Sequence, residues 1–417
     1  MEIKTALEKL FALHTFGVKL GLTNIKNFLS FLGNPQLKLK AIHLAGSNGK
    51  GSTAAFITSI LMEAGYKVGL YTSPHFVKFN ERIIINGVQI DDKTVAEFIS
   101  LYWDYINEHQ LTFFEVTTAM AFEYFCNQEV DYAVIETGLG GRLDATNVLN
   151  PLAVVITSIS LEHTNILGTR LSSIASEKAA IIKPKSKVFT AVQPKDAEDV
   201  IEQKSTEENC LLFRLKDYVN INDDVIELYN KGIELDKTKV PVKGEYQIFN
   251  AALAILTITK TFLCDDKRII LNGIKNVVKN TNLQGRYEIY KNDPTLILES
   301  AHNIAGVTQF LTEFDKESSN YKKKIVLFGA MKDKAHGEML VELNKSFDEI
   351  HLTQIDYERS AKIEDLKSIC NELNITAYEE RNPLQYINNF LKGERNNCLV
   401  VLGSMYLLGE VKIRMQL

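Results

Sequence analysis

Short hydrophobic runs alternate with amphipathic segments along most of the 417-residue chain. Residues 41–45 (AIHLA) are typical of a short buried strand, and residues 51–65 carry hydrophobic side chains at helical spacing and end at a glycine. The alternation continues with strand-like runs and helical patterns in the order VGLYTS, helix 93–108, helix 117–128, YAVIETG, AVVITSIS and helix 170–181. Strands separated by helices predict parallel βαβ units, with helices on both faces of one sheet.

The pattern changes near residues 208–240, where LLFRL, VIELY and GIEL are short and are separated by Asn, Asp and Gly. This segment predicts a small antiparallel appendage. Helical patterns return at 247–263 and 268–279, and the polar segment TNLQGRYE (281–288) has the composition of a junction. Beyond the junction, strand-like runs recur in the order YEIY, TLILES, KIVLFGA, EIHLTQI and CLVVLGS.

A glycine-rich segment, HLAGSNGKGS (43–52), joins the first predicted strand to the first long predicted helix. Glycines allow successive backbone N–H groups to converge on phosphate oxygens, and the amino terminus of a helix adds a partial positive charge. Lys50 adds a full positive charge, and the Ser52 hydroxyl is a candidate partner for a magnesium ion. The candidate ATP-binding residues here are Ser47, Asn48, Gly49, Lys50, Gly51 and Ser52.

The spacing of this segment departs from the usual Walker pattern. Gly46 lies three residues before Gly49 instead of five, and Gly51 separates Lys50 from the hydroxyl of Ser52. The alternative interpretation is a glycine-rich turn with a solvent-exposed lysine. The strand before the segment and the helix after it favour a nucleotide site.

The predicted fold class is therefore α/β with two domains. Residues 1–283 are expected to form an N-terminal P-loop domain built on a doubly wound, mostly parallel sheet. Residues 284–417 are expected to form a smaller, Rossmann-like α/β domain.

Composition excludes several classes of protein. A net charge of −5 argues against a nucleic-acid partner, which normally requires a basic face. The five cysteines are scattered and odd in number, so reduced thiols are expected and not a disulfide framework or a zinc site. The amino terminus lacks the pattern of a signal peptide, and no segment approaches the ~20 apolar residues of a membrane span. A cytoplasmic protein without a membrane partner is expected, and a monomer.

Further motifs occur in one consistent order, namely TSPHFVKFNERI (72–83), ETGLGGRLDATN (136–147), SLEHTNILG (160–168), SEKAAIIK (176–183), FNAALA (249–254), QGRYE (284–288), ESAHN (299–303), FGAMKDK (328–334) and VLGSMYLLGE (401–410). Together with AGSNGKGS they resemble the folylpolyglutamate synthase and dihydrofolate synthase family of Mur ligases, over nearly the whole chain. The resemblance implies a ligase in which ATP phosphorylates a substrate carboxylate and the amine of glutamate then attacks the acyl phosphate. It makes residues 1–283 the ATP-binding central domain and residues 284–417 the glutamate-ligase domain.

The same resemblance implies ATP and Mg²⁺ as cofactors and assigns three metal ligands, Ser73, Glu136 and His163. Glu136 follows a buried strand, and hard oxygen ligands suit Mg²⁺. Lys178 is implied to carry a carbamate formed with CO₂, which turns a cation into an anion near the metal. The implied catalytic set is Lys50, Lys178 and His302. Where the family usually has aspartate, this chain has Glu162.

The resemblance also assigns substrate and further nucleotide contacts. The substrates implied are dihydropteroate or a reduced folate, and L-glutamate. Residues implied to bind these substrates are Thr112, Phe113, Phe114, Glu115, Leu143, Asp144, Ala145 and Ser404, with Leu13, His14 and Thr15 as further candidates. Residues implied to bind ATP are Asn250, Arg286 and Glu299. The family pattern Asp-Gly-Ala-His-Asn-Pro is altered here at Glu299, Ser300 and Ile304.

Two alternative functions are open at this point. A cell-wall Mur ligase would carry an extra amino-terminal domain, and a phosphate loop about 45 residues into the chain leaves too little room for one. A non-catalytic nucleotide-binding protein is supported only by the altered segment at 299–304. Between dihydropteroate and folylpolyglutamate as acceptor, the motifs favour one chain that uses both.

Overall fold

The computed structural model describes residues 1–13, 21–222, 225–228, 232–236 and 239–415. Its helices are α1 (Ile3–Ala12), α2 (Thr23–Phe31), α3 (Lys50–Glu63), α4 (Asp92–Glu108), α5 (Phe113–Asn127), α6 (Thr164–Leu167), α7 (Leu171–Ala179), α8 (Lys195–Glu207), α9 (Glu245–Lys260), α10 (Lys267–Lys275), α11 (Val277–Thr281), α12 (Ile304–Phe314), α13 (His336–Ser346), α14 (Ile363–Glu372), α15 (Pro383–Leu391) and α16 (Met405–Met415). Among these described helices, none has both the length and the apolar character that crossing a bilayer requires.

The strands are β1 (Ala41–Ala45), β2 (Val68–Tyr71), β3 (Ile83–Ile85), β4 (Val88–Gln89), β5 (Tyr132–Glu136), β6 (Ala153–Ile156), β7 (Lys187–Thr190), β8 (Leu211–Arg214), β9 (Val219–Asn222), β10 (Val225–Leu228), β11 (Ile233–Asp236), β12 (Glu288–Asn292), β13 (Thr295–Glu299), β14 (Lys323–Phe328), β15 (Glu349–Leu352), β16 (Ala377–Glu379) and β17 (Asn397–Leu402). Short 3₁₀ helices lie at Pro35–Lys38, Phe79–Arg82, Leu215–Asp217 and Ser318–Asn320.

The chain divides into two compact units. The first unit comprises Met1–Pro74, Phe79–Pro241 and Ile248–Asn282, and the second comprises His75–Lys78, Val242–Gln247 and Leu283–Leu417. Two short segments that precede the predicted junction in sequence, at 75–78 and 242–247, are therefore packed with the second unit.

The first unit is built on a sheet with the strand order β4-β3-β2-β5-β1-β6-β7-β8. Strand β1 pairs in parallel with β5 and β6, and the parallel pairing continues to β2 on one side and to β7 and β8 on the other. Every residue of β1 is buried, as expected for a central strand covered on both faces. The predicted parallel α/β architecture is confirmed.

One edge of this sheet is an antiparallel hairpin that the hydrophobic pattern did not reveal. Strands β3 and β4 are joined by Asn86 and Gly87, both with positive φ, of 46° and 78°. Asn-Gly is the dipeptide favoured in two-residue hairpin turns, so the local signal was present in the sequence.

The prediction of an antiparallel appendage at 208–240 is correct only in part. Strands β9, β10 and β11 form a three-stranded antiparallel sheet. LLFRL, in contrast, forms β8, which pairs in parallel with β7 at the edge of the large sheet. Strand β7 (Lys187–Thr190) was not predicted, so the hydrophobic pattern did not show the parallel partner with which β8 pairs.

The second unit contains a six-stranded sheet with the order β12-β13-β17-β14-β15-β16. Strands β13, β17, β14, β15 and β16 are parallel neighbours, and β12 adds to β13 as an antiparallel edge strand. Buried side chains of β13, β14 and β17 pack with those of α12, α13 and α14 in one cluster and with α15 and α16 in another. This is the predicted second α/β sheet.

Candidate active site

The phosphate loop, residues 46–52, follows β1 and leads directly into α3. A Cβ added to Gly46 would lie 1.8 Å from Thr157 Oγ1, and one added to Gly49 would lie 2.4 Å from Asn250 Oδ1. Gly49 also has a φ of +87° at the N-cap position of α3. Glycine is required at both positions because the backbone approaches its neighbours closely, and at Gly49 because side chains rarely adopt that φ.

Lys50 and Ser52 lie on the first turn of α3, where backbone N–H groups have no partner within the helix. Lys50 Nζ donates to the carbonyl of Gly46 at 2.8 Å and to that of Ser47 at 3.3 Å, so its charge lies over the loop. Ser52 Oγ is buried and has no hydrogen-bond partner among the described residues. A buried, unsatisfied hydroxyl beside a lysine and a helix amino terminus fits a phosphate oxygen or a magnesium ion.

The loop that follows β6 holds the phosphate loop in shape. Ser47 N donates to Ser158 O at 2.7 Å, and Ser47 Oγ donates to Ser160 O at 3.0 Å. Ser158 Oγ donates to Asn48 O at 3.2 Å. Gln193 fixes this second loop, because its amide nitrogen donates to Thr157 O at 2.7 Å and its amide oxygen accepts from the Ile159 N–H at 3.0 Å. Ser158, Ser160 and Gln193 were not predicted as site residues.

Two of the three predicted metal ligands lie close together beside the phosphate loop. Glu136 ends β5 next to β1, and its carboxylate oxygen Oε2 accepts from the Ser73 N–H at 3.1 Å. A Cβ on Gly51 would lie 3.7 Å from the same oxygen. His163 is the N-cap residue of α6, with a φ of +45°, and is next to Glu162 in sequence.

Within the described parts of the chain, no three His, Cys, Asp or Glu side chains are grouped so that they could hold a metal ion. Magnesium does not need such a cage, since it retains waters and takes phosphate oxygens together with one or two carboxylates. The residues present fit that pattern, with the Glu136 carboxylate, the Ser73 residue beside it and the unsatisfied hydroxyl of Ser52.

Lys178 on α7 is buried, and its ammonium is tied to the phosphate loop. Nζ donates to Gly46 O at 2.8 Å and to Glu162 Oε1 at 2.7 Å. Burial lowers the pKa of Lys178 below its ordinary value, and the Glu162 carboxylate opposes that shift. Burial would raise the pKa of Glu162, but the charges of Lys178 and Lys50 outweigh it and hold that pKa at about 2. The carbamate implied for Lys178 stays a prediction.

The segment that begins α5 combines a local helix cap with packing of its two phenylalanines against distant parts of the chain. Thr112 and Glu115 form a capping box, in which Glu115 N donates to Thr112 Oγ1 at 3.3 Å and Thr112 N donates to Glu115 Oε2 at 2.8 Å. This cap starts α5 at Phe113, not at residue 117 as predicted. Phe113 is buried in the core. The Phe114 ring is half-buried and packs against Gly138, where an added Cβ would lie 2.5 Å from the ring. Contacts of this segment with a substrate stay a prediction.

The turn 138–147 carries the other predicted substrate contacts of the first unit. Asp144 is buried and accepts hydrogen bonds within the turn, while Ala145 is buried and Leu143 is half-buried. Leu13 is buried at the end of α1. His14 and Thr15 lie outside the described residues. Asn250, on α9, lies against the phosphate loop, with its Oδ1 accepting from Thr53 Oγ1 at 3.4 Å.

In the second unit, Glu299 ends β13 and is buried. Its carboxylate accepts from the N–H groups of Tyr287 and Ala301, each at 2.8 Å. Burial raises the pKa of Glu299, and the neighbouring charge of Arg286 opposes this shift. The longer glutamate side chain is thus accommodated by backbone hydrogen bonds at this strand end.

The other predicted residues of the second unit also lie at strand ends. His302 Nδ1 is 3.0 Å from Ser300 O, and Ser404 Oγ accepts from Tyr406 N at 3.1 Å, where α16 begins after β17. Asn303 caps α12, since its side chain accepts from Gly306 N at 2.8 Å. This cap starts the helix at Ile304 without the proline of the family pattern.

Comparison with known proteins identifies the family. Residues 44–258 match the Mur ligase middle domain, and residues 285–405 match the Mur ligase glutamate ligase domain. The dihydrofolate synthase/folylpolyglutamate synthase of Bacillus subtilis is 34% identical over 415 residues, covering 96% of each chain. The chain belongs to the folylpolyglutamate synthase/dihydrofolate synthase family of Mur ligases. The resemblance found in the motifs is confirmed.

Solved structures of this family share the fold of both units. Escherichia coli FolC in complex with DHPP and ADP has a TM-score of 0.87 and 27% identity, covering 100% of this chain and 98% of that chain. The bifunctional folylpolyglutamate synthase/dihydrofolate synthase of Yersinia pestis, complexed with AMPPNP and a Mn ion, has a TM-score of 0.86 and 26% identity, with the same coverage. The Escherichia coli protein thus binds ADP, and the Yersinia pestis protein binds AMPPNP and a Mn ion.

Proposed function

We propose that this protein is an ATP-dependent glutamate ligase that acts both on dihydropteroate and on folylpolyglutamates. The observation that carries the proposal is the phosphate loop, where Lys50 Nζ, the unsatisfied Ser52 hydroxyl and the Glu136 carboxylate surround the start of α3. This combination suits a triphosphate with its magnesium ion. The choice of acceptor is supported by the relatives, which are dihydrofolate synthase/folylpolyglutamate synthases.

The proposed reaction has two steps. An oxygen of the acceptor carboxylate attacks the γ-phosphorus of ATP, and ADP leaves. The amine of glutamate then attacks the acyl carbon, and phosphate leaves with the oxygen that came from the acceptor, while the amine loses a proton. The phosphate loop contributes its N–H groups and the Lys50 ammonium, which stabilise the charge on the transferring phosphoryl group.

Magnesium, when bound, neutralises charge on the phosphates and polarises the γ-phosphoryl group. Ser73, Glu136 and His163 are the residues proposed to hold it, and Lys178 is proposed to add a negative charge as a carbamate. Glu136 is supported most directly, because it ends a buried strand next to the phosphate loop.

The pterin-bearing acceptor is proposed to bind at the turn 138–147 and at Phe114, whose half-buried ring is suited to stacking on a flat heteroaromatic group. In the second unit, Arg286 and Glu299 are proposed to contact ATP, His302 the γ-phosphate, and Ser404 the incoming glutamate. We further propose a cytoplasmic monomer, in line with five free cysteines and a net charge of −5.

The test offers purified protein ATP, magnesium and glutamate with either dihydropteroate or tetrahydrofolate, and measures ADP and the glutamylated product. The expected result is ADP formation that requires both glutamate and an acceptor, with product from each acceptor. Turnover with only one acceptor would limit the function to that substrate. If no ADP forms with either acceptor, the proposal is overturned. That result would favour another Mur-type ligase or, if the protein still binds nucleotide, a non-catalytic protein.

A further inference from the structure

A fully buried histidine lies in the middle of β1. His43 is completely buried among the hydrophobic residues of that strand, and its Nε2 is 2.8 Å from Thr146 Oγ1. Burial, together with the positive charge of Lys183, lowers the pKa of His43 to about 3. The imidazole is therefore neutral near pH 7, and it carries its proton on only one ring nitrogen.

The hydrogen bonds around His43 determine which nitrogen carries that proton. Thr146 Oγ1 is 2.6 Å from Asp144 Oδ1, and a carboxylate accepts only, so the threonine hydroxyl donates to Asp144. The hydroxyl has a single proton, so it must accept from His43 at Nε2. His43 Nδ1 is buried and has no partner among the described residues, as expected for the nitrogen without a proton. The result is a directed chain from His43 through Thr146 to Asp144.

The Asp144 carboxylate, which accepts the last of these hydrogen bonds, also binds the backbone of its own turn. Oδ1 accepts from Thr146 Oγ1 and, at 3.0 Å, from Thr146 N, while Oδ2 accepts from the N–H groups of Gly138 and Leu139, each at 2.8 Å. A carboxylate has about four acceptor positions, and these four bonds occupy them. Both ends of the turn 138–147 are thereby joined at one carboxylate. His43, on β1, is linked to this carboxylate through the Thr146 hydroxyl.

We propose that His43 is a positioning residue for the acceptor-binding turn 138–147. It donates from Nε2 to Thr146, so that the threonine hydroxyl is directed at Asp144 and the carboxylate keeps the orientation that ties Gly138 and Leu139 to the turn. The proposal rests on the proposed function in one respect, that the turn contacts the pterin-bearing acceptor. His43 itself contacts neither ATP nor acceptor in this assignment.

A matched pair of substitutions separates the effect of losing the hydrogen-bond donor from the effect of changing the side-chain volume. In His43→Gln the amide Nε2 is as many bonds from Cβ as the imidazole Nε2, so the donor to Thr146 is retained. In His43→Leu the side chain stays large but the donor is lost. His43→Leu removes one hydrogen bond from the series that ends at the Asp144 carboxylate. We expect this loss to raise the KM for the acceptor about tenfold.

The KM for ATP is the internal control, because the side-chain hydrogen bonds of His43, Thr146 and Asp144 in the described structure run within β1 and the turn and not to residues 46–52. We expect it to stay within about twofold of wild type in both variants, with the acceptor KM restored toward wild type in His43→Gln. An unchanged acceptor KM in a folded His43→Leu protein, or an equal rise in both KM values, would overturn the proposal. If His43→Leu does not fold, Thr146→Val and Thr146→Ser make the same comparison at the middle of the chain.

A second measurement needs no substrate. In protein labelled with ¹⁵N-histidine, NMR spectra are expected to show one imidazole, absent in His43→Gln, that is neutral with its proton on Nε2 from pH 8 down to pH 5. A proton on Nδ1, or a charged imidazole in that range, would refute the directed chain. If wild-type protein uses neither acceptor, the proposed function fails, and the spectra still decide the arrangement of His43, Thr146 and Asp144.

Discussion

Lys178 Nζ lies 2.7 Å from Glu162 Oε1, and both side chains are more than nine-tenths buried beneath the phosphate loop. The same ammonium donates to Gly46 O, so a buried ion pair connects α7 with the loop that is proposed to bind ATP. Buried ion pairs contribute little net stability when intact, but removing one partner leaves an uncompensated charge and is strongly destabilising. A carbamate on Lys178 would instead place two anions together, so the two states of Lys178 make opposite predictions.

For Glu162→Gln, the ion pair predicts a loss of about 3–5 kcal/mol in the free energy of unfolding. Glu162→Asp, which keeps the charge and has the residue usual for the family, is the matched control and should lose less. Urea unfolding of both variants measures the difference. A Glu162→Gln protein as stable as wild type, or more so, would show that Lys178 carries no positive charge.

Lys50→Ala tests the phosphate loop. Removing the cation that lies over the loop should lower kcat by about 100-fold or more, because it stabilises charge that develops on the phosphoryl group. The free energy of unfolding should change little. Lys93→Ala is the control, since Lys93 is an exposed lysine on α4 that pairs with Glu97. Normal turnover of Lys50→Ala would show that the loop does not bind the phosphates of ATP.

Gly49→Ala tests the close approach of Asn250 to the same loop. The substitution combines an unfavourable φ of +87° with a Cβ 2.4 Å from Asn250 Oδ1. Gly65→Ala has nearly the same φ, +89°, but open space around the new Cβ, so it isolates the cost of the backbone conformation. Gly65→Ala should cost about 1 kcal/mol, and Gly49→Ala should cost more. The ATP dissociation constant should rise only in Gly49→Ala; equal effects of the two substitutions on stability and on ATP binding would contradict this account.

The pKa of His43 predicts a pH dependence of stability. The folded protein keeps His43 neutral down to about pH 3, whereas the unfolded chain takes up a proton below about pH 6.5. The unfolded state therefore binds more protons in this window, and His43 makes the free energy of unfolding fall as the pH falls, by about 2 kcal/mol between pH 7 and pH 5. Comparison of unfolding curves for wild type and His43→Gln isolates this contribution. Substitution of the exposed His109 by Gln is the control, and an unchanged pH slope in His43→Gln would contradict the prediction.

Local sequence signals predicted the two elements that flank the phosphate loop well. AIHLA was predicted as a strand at 41–45 and forms β1 over the same residues, and the helix predicted at 51–65 is α3, Lys50–Glu63. The alternation of buried runs and helical spacing, with glycines between, is a local property, so the order of elements followed from it. The predicted phosphate loop accordingly lies between a buried parallel strand and the start of a helix.

Long-range contacts were not visible in the sequence. Lys178 would ordinarily be an exposed lysine, and its burial depends on Gly46 and Glu162, the first of which is more than a hundred residues away along the chain. LLFRL was misassigned because its sheet partner β7 was missed. The capping box of Thr112 and Glu115, in contrast, is a local T-x-x-E pattern, and this pattern predicts the observed start of α5 at Phe113.

The central claim is that the acceptor carboxylate is activated by phosphorylation. It is tested most directly with an acceptor whose carboxylate carries oxygen-18 in both oxygens, incubated with the protein, ATP, magnesium and glutamate. The account predicts that each phosphate released with the amide product contains one oxygen-18, because the acceptor oxygen leaves with the phosphoryl group. Amide formation accompanied by phosphate that contains no oxygen-18 would contradict it.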